Sequence, residues 1–184
     1  NPDRVPWGET KNFNVHLGSG HIEFEFKDKS KEETQQKSLD TPIKVNLEGY
    51  NFNRVHINGI ANELQNKGYG KEIYNALVDK YGIISTSEYS SSSDVKRVWN
   101  SLIKSGDYYW AKVGDSFNAV AKSKEEIERF IKDKSESFNE MPRIEQGEPN
   151  KKGENTDAIS KQETTSMGVR NETAIREEVG KQDQ

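Results

Sequence analysis

The sequence predicts a mixed α/β domain in which helices pack on a mostly antiparallel sheet, followed by a polar C-terminal tail. Three observations predict it. Residues 21–27 and 43–47 alternate apolar and polar side chains, which is the period of half-buried strands. From residue 70 onward apolar residues recur at helical spacing instead, and the two patterns take turns up to residue 134. From residue 135 the periods stop, and Glu, Lys, Gln, Asn, Ser and Thr dominate.

Each element has its own signal. Ile22, Phe24 and Phe26 point one way while Glu23 and Glu25 point the other, giving a strand with one wet face. Residues 27–40 are a charged connection with room for a helical turn. Ile43, Val45 and Leu47 mark a second strand that ends at Gly49, and Val55 and Ile57 mark a third over 52–60. Short loops between such strands suggest an antiparallel meander. Ile73, Tyr74, Leu77, Val78 and Tyr81 then form the apolar stripe of a helix closed by Gly82. Residues 83–86 read as a buried strand. Ser90 to Ser93 and Asp94 suit a helix N-terminus, because their oxygens accept orphan backbone N–H bonds. Val95, Val98, Trp99, Leu102 and Ile103 form the stripe of that helix, and Gly106 ends it. Residues 108–113 and 117–121, joined through Gly114 and Asp115, carry a hairpin signature. Ser123 and Glu126 fit a capping box opening a last helix, with Ile127, Phe130 and Ile131 as its core face.

Composition bounds the rest. With 30% hydrophobic and 32% charged residues, one core spanning all 184 residues is not expected. The expected division is a domain over 1–134, its folded part starting near residue 10 after a short N-terminal extension, and a tail over 135–184. Pro142, Gly147, Pro149 and Gly153 interrupt helices in that tail, which reads as disordered or held by a partner; 173–179 is a short amphipathic piece suited to docking. The chain has no cysteine, so a disulfide scaffold and a thiol nucleophile are excluded. No apolar run approaches the roughly 20 residues that cross a bilayer, so no membrane partner is expected. The net charge of −4 argues against non-specific binding of nucleic acid. His16 and His21 lack the companion spacing of a metal site, and no metal is expected.

The stretch that carries chemistry is Gln65, Asn66, Lys67, Gly68, Tyr69, Gly70 and Lys71, between a strand and a helix. Glycines there let the backbone turn tightly and approach a ligand. The first N–H groups of the helix lack internal acceptors, and the helix dipole favours negative charge at that end. Together with Lys67 and Lys71 they form a site suited to phosphate or pyrophosphate. The spacing is neither G-x-G-x-x-G nor G-x-x-x-x-G-K-[ST], so a dinucleotide fingerprint and a nucleoside-triphosphate loop are both absent.

With Gln65, Gly68 and Gly70 at its fixed positions, the stretch resembles the Q/R-x-x-G-x-G/A loop of the GNAT superfamily of acyl-CoA-dependent N-acetyltransferases. The helix, strand, helix and hairpin that follow are in that family's order. The resemblance implies acetyl-CoA as cofactor, its pyrophosphate held by residues 65–71, with Ser92 also at the cofactor. It implies that the amide of Ile60 or Ala61 polarises the thioester carbonyl. His56, whose side-chain type titrates near neutrality, or Glu48 would help deprotonate an amine acceptor. The family's acid is often a Tyr in a pattern like N-x-x-A-x-x-L-Y. Here Ser92, Val95 and Val98 align with its first three fixed positions, and Trp99 stands where the Tyr is expected. Indole cannot donate a proton as a phenol does, which leaves Tyr89, Tyr108 or Tyr109 for that role and Trp99 for the core.

Two other readings stand beside the enzyme. One is a catalytically inactive protein with the same fold, such as a processed phage virion or accessory protein. Trp99, the missing strand carboxylate, the polar tail and the Asn at position 1 all suit it. The enzyme would be cytoplasmic; the alternative would reside in the virion. The third reading is nucleic-acid binding through Tyr108, Tyr109 and Trp110, which alternation along a strand disfavours by sending Tyr109 to the opposite face.

Overall fold

A computed structural model of the chain describes residues 5–49, 53–87 and 93–150. The first three strands, β1 (Val5–Glu9), β2 (Phe13–Leu17) and β3 (Ile22–Phe26), form an antiparallel meander. The β1–β2 register shifts between Pro6 and Gly8. Helix α1 (Lys29–Ser38) follows, and β4 (Ile43–Glu48) and β5 (Arg54–Ile57) continue the antiparallel ladder. A 3-10 turn (Asn62–Leu64) then leads into helix α2 (Tyr69–Tyr81). Next come β6 (Ile83–Ser87), helix α3 (Ser93–Lys104), β7 (Tyr109–Val113), β8 (Phe117–Ala121), helix α4 (Lys124–Ser135) and β9 (Ile144–Gly147). The nine strands form one sheet in the order β1-β2-β3-β4-β5-β6-β8-β7-β9. Every neighbouring pair is antiparallel except β5 and β6. The fold is therefore the mixed α/β arrangement expected, with four helices on a mostly antiparallel sheet.

Strand alternation sorts the side chains to two faces. On one, Phe13, Phe24, Val45, Val55, Ile84 and Val120 pack with Ile73 and Leu77 of α2 and Trp99 and Leu102 of α3. On the other, α4 covers only the β6–β8–β7 part, where Ile127 and Phe130 meet Ile83, Ala111, Val113 and Ala119. The same outer face over β2–β5 stays polar, with His16, Glu25, Lys44, Asn46 and His56 as the alternating partners of core residues. The expected stripes of α2, α3 and α4 all face the core. Ser123 caps α4 by accepting the Glu126 N–H, whereas the Glu126 carboxylate turns to Arg129, so the capping box is half formed.

Four features differ from the sequence expectation. Residues 27–40 hold a ten-residue helix rather than a single turn; Asp28 caps it by accepting the Ser30 N–H, but its only buried side chain is the polar Gln35, so no apolar stripe announced it. The third strand is shorter than 52–60. The N-terminal extension is part of the sheet as β1, where the alternation fails because Pro6 and Gly8 interrupt it. The boundary at residue 134 also moves. β9 pairs with β7, the Gly114 N–H bonds to the Arg143 carbonyl, and the Asn150 N–H bonds to Gly106, so the folded part runs through residue 150. Backbone pairing along the free side of β7, rather than an apolar pattern, holds this segment. The remainder of the expected tail, including 173–179, lies outside the described residues. Among the described residues no helix is long and apolar enough to cross a membrane.

Glu72, in the first turn of α2, fastens the N-terminal hairpin to the helix. Its carboxylate accepts from the Thr10 hydroxyl at 2.5 Å, the Asn12 amide at 2.7 Å and the Asn12 side chain at 2.7 Å. Burial alone would raise its pKa, but these donors, with Lys11 nearby, together hold it below the ordinary 4.5. A lowered carboxylate pKa contributes stability above the unfolded value and loses it as pH falls through the folded value. Glu72→Gln should therefore lower the urea midpoint at pH 7, and the difference from the parent protein should shrink as acidification protonates Glu72 itself.

Candidate functional site

The parallel pair β5–β6 meets in register at one residue pair, Arg54 with Ser85. Asn53 closes the near end: its carbonyl accepts the Ser85 N–H at 3.3 Å and its side chain donates to the Ile83 carbonyl at 3.2 Å. Beyond that pair the ladder stops, and the carboxyl ends of the two strands part. The carboxyl end of β5 leads through the 3-10 turn into α2, so the start of that helix stands beside the parting. In open sheets a crevice at the carboxyl ends of parallel strands is the usual place for a ligand.

Residues 58–65 are pinned from behind. Gln35 of α1 is fully buried and ties this loop to the end of its own helix: Oε1 accepts the Ala61 N–H at 2.8 Å, while Nε2 donates to the carbonyls of Gly59 at 3.1 Å and, outside the loop, Asp40 at 3.3 Å. Gln65 folds back, its Nε2 donating to the Ile60 carbonyl at 2.9 Å and to Asn62 Oδ1 at 3.1 Å. The chain then enters the left-handed region twice, at Asn66 (φ 59°) and Gly68 (φ 84°). Gly68 is the N-cap of α2 and brings no side chain to it. The amides of Tyr69, Gly70 and Lys71 thus open α2 without a side-chain acceptor, as an anion site requires. Gly70 has a packing role as well, since a Cβ there would stand 3.2 Å from Val98 Cγ2 of α3.

The predicted cofactor residues divide accordingly. Lys67 and Asn66 are exposed beside the helix start, and Lys71 is half-buried. Tyr69 sends its ring into the core against Phe13 and Phe26, under the Lys31 ammonium, and leaves only its amide to the site. The Ala61 N–H, expected to face a ligand, is instead donated to Gln35. Ser92 and Tyr89 lie outside the described residues. Arg97 was missed. It sits on α3 and donates to Asn66 Oδ1, bringing a guanidinium to the loop. Its neighbour Val98 packs on Gly70, but only the helix–helix contact reveals this.

Of the predicted acid and bases, those among the described residues are not gathered here. Val55 points into the core, so His56 projects from the opposite, exposed face of β5. Glu48 is exposed on that same far face, in register with Arg54. Tyr108 is buried, donates to Asn75 Oδ1 at 2.9 Å, and is pushed up to about 12 by burial, with Asp79 and Asp107 adding to it. Tyr109 packs with the α4 cluster on the other side of the sheet. Trp99 is a core residue, edge-on to Tyr74 with ring centroids 5.5 Å apart. Tyr108 and Trp110 belong to the α2–α3 core, so these aromatics offer no common exposed stacking platform. Among the described residues no group of three His, Cys, Asp or Glu could hold a metal.

A groove of about 720 Å³ runs from Gly68 and Lys71 along α2 toward Trp7. Its acids are engaged: Glu9 pairs with Lys27, Asp79 with Lys122, and Glu72 with the hairpin. Lys11, Lys71 and Lys80 give the groove its outward charge. No protein-family model, no curated protein and no solved structure matches the chain.

Replacing Gln35 with Met keeps the side chain's length but leaves the Ala61 N–H and the Gly59 carbonyl without their partner. Urea unfolding should show a loss of about 1–3 kcal/mol for each buried group so orphaned; an unchanged midpoint would mean that the loop is held by something else. Gly68→Ala, with open space around its Cβ but φ at 84°, should cost about 1–2 kcal/mol through backbone strain alone.

Proposed function

We propose that this chain binds the pyrophosphate of acetyl-CoA at residues 65–71, as members of the GNAT superfamily its loop resembles do, and acts as an N-acyltransferase-like protein on an amine. One observation carries the reading: the glycine N-cap leaves the first amides of α2 uncapped where β5 and β6 part. The amides of Tyr69, Gly70 and Lys71 would hold the phosphates, with Lys67, Lys71 and Arg97 supplying positive charge. The groove along α2 has the volume of a nucleotide-sized ligand site. When bound, acetyl-CoA supplies the thioester whose acyl group is transferred. The Ile60 amide is the donor this chain offers to the thioester carbonyl, because Gln35 takes that of Ala61. The reading carries with it a cytoplasmic location.

A second reading, that of a catalytically inactive protein of this fold acting in a phage particle or as an accessory, is favoured by three features. The Ala61 amide is spent, His56 and Glu48 leave from the far face of the sheet, and Trp99 is buried. A polar tail suited to a protein partner belongs with it, as does residence in the virion.

Calorimetry with acetyl-CoA, followed by thiol release in the presence of a panel of amines, separates the two. Binding should weaken by about tenfold or more in Arg97→Glu with Lys71→Glu, since each change replaces a charge-assisted contact with repulsion. Binding with amine-dependent thiol release supports the enzyme, and binding without release supports the second reading. A folded protein that gives no heat at millimolar acetyl-CoA overturns the first reading and leaves the second standing.

A further inference from the structure

A second cavity lies on the other flank of α3, away from the 65–71 loop. It holds about 150 Å³ and is lined by Thr86, Asn118, Lys112, Trp99, Lys96 and Asn100 together with Ile103. Its floor comes from cross-strand register. Thr86 of β6 pairs with Asn118 of β8, and Asn118 pairs with Lys112 of β7, so the three side chains make one row on the face that α3 covers. The adjacent row on the same face, Ile84, Val120 and Trp110, is apolar. Alternation and packing would have accepted apolar residues in the outer row too. The sequence instead puts a hydroxyl, an amide and an ammonium there, with Thr86 and Asn118 only 7% and 4% exposed.

Burying polar groups costs free energy unless they are bonded, and a buried group without a partner calls for a reason. Trp99, 3% exposed, supplies such a group. Its indole N–H comes near enough to the Tyr74 phenol to offset slightly the burial that pushes that phenol up to about 12, but it completes no hydrogen bond there or elsewhere. Lys112 is half-buried and Lys96 stands at the rim, and neither forms an ion pair with a described residue. No carboxylate lines the cavity. The lining is therefore positively charged, with no acid to neutralise it, and its one buried acceptor that receives no hydrogen bond is Asn118 Oδ1.

We propose that this cavity is a binding site for a small oxyanion, either inorganic phosphate or sulfate or the carboxylate of a small organic acid. Lys112 and Lys96 supply the charge and Thr86 supplies a hydroxyl donor, with the Trp99 indole forming part of the wall. The volume admits one compact anion and excludes a nucleotide, so this site is separate from the acetyl-CoA reading and does not depend on it.

The test is an NMR titration of the ¹⁵N-labelled full chain with phosphate, sulfate, acetate and succinate, each against chloride at matched ionic strength. The Trp99 indole resonance, assigned by its loss in Trp99→Phe, should move saturably with at least one oxyanion and not with chloride. Lys112→Met, which keeps the length of the stem, should weaken that response about tenfold or more while the remaining spectrum stays that of the folded protein. Response to phosphate or sulfate alone identifies an inorganic or phosphoryl ligand; response to acetate or succinate identifies a carboxylate. A shift that chloride reproduces, no shift with any of the four anions, or a saturable shift unaltered in Lys112→Met overturns the proposal.

Discussion

One neutral amide, that of Gln35, joins the three parts on which the site depends. Helix α1 has no apolar stripe and would have little reason to lie against the sheet. The loop after β5 has no regular structure apart from one 3-10 turn. The start of α2 is reached through that loop. Gln35 ties α1 to the loop by satisfying one donor and two acceptors at once, with both of its N–H donors used. Being uncharged, it is buried at far smaller cost than a Lys or Glu would be in the same seat. The loss of Ala61 as a donor to any ligand follows from it.

The two loop glycines show how structural and chemical demands coincide. Gly68 takes a left-handed conformation that begins the helix, and Gly70 lets α3 come close. Both would be needed in a protein that bound nothing. What turns the turn into a candidate site is its setting. The helix starts where two parallel strands diverge, Arg97 reaches in from the neighbouring helix, and a positively edged groove leads away along α2. A fold can keep such a setting after its catalytic groups have gone, which is why the positions of His56, Glu48 and Trp99 weigh as much as the loop does.

Most of the regular framework could be read from the residues. Ile22, Phe24 and Phe26, or Ile73, Leu77 and Val78, bury the sides their period assigns to them, because an apolar face has one stable destination. The elements that escaped are those held by backbone pairing or polar side chains: α1 through Gln35, β1 with its break at Pro6 and Gly8, and β9 along the side of β7. The site was half legible. A strand–glycine–helix sequence foretold the turn and its open amides. Sequence could not show that residue 35 reaches residue 61, that Arg97 lies over Asn66, or that alternation sends His56 away from the loop. The row of Thr86, Asn118 and Lys112 was equally hidden, because it exists only through the register of three strands.

The break in β1 has a consequence for how this sheet ends. An outer strand with an unbroken row of free amides and carbonyls is a template on which another chain can be laid. β1 spoils that template, since Pro6 has no N–H and the shift between Pro6 and Gly8 destroys the repeat a newcomer would have to match. At the other margin β9 is four residues long and carries Glu145, paired with Arg143. A sheet finished in this way is self-limiting: it resists stacking into fibres through its margins, and a partner has to be recognised by side chains on its faces.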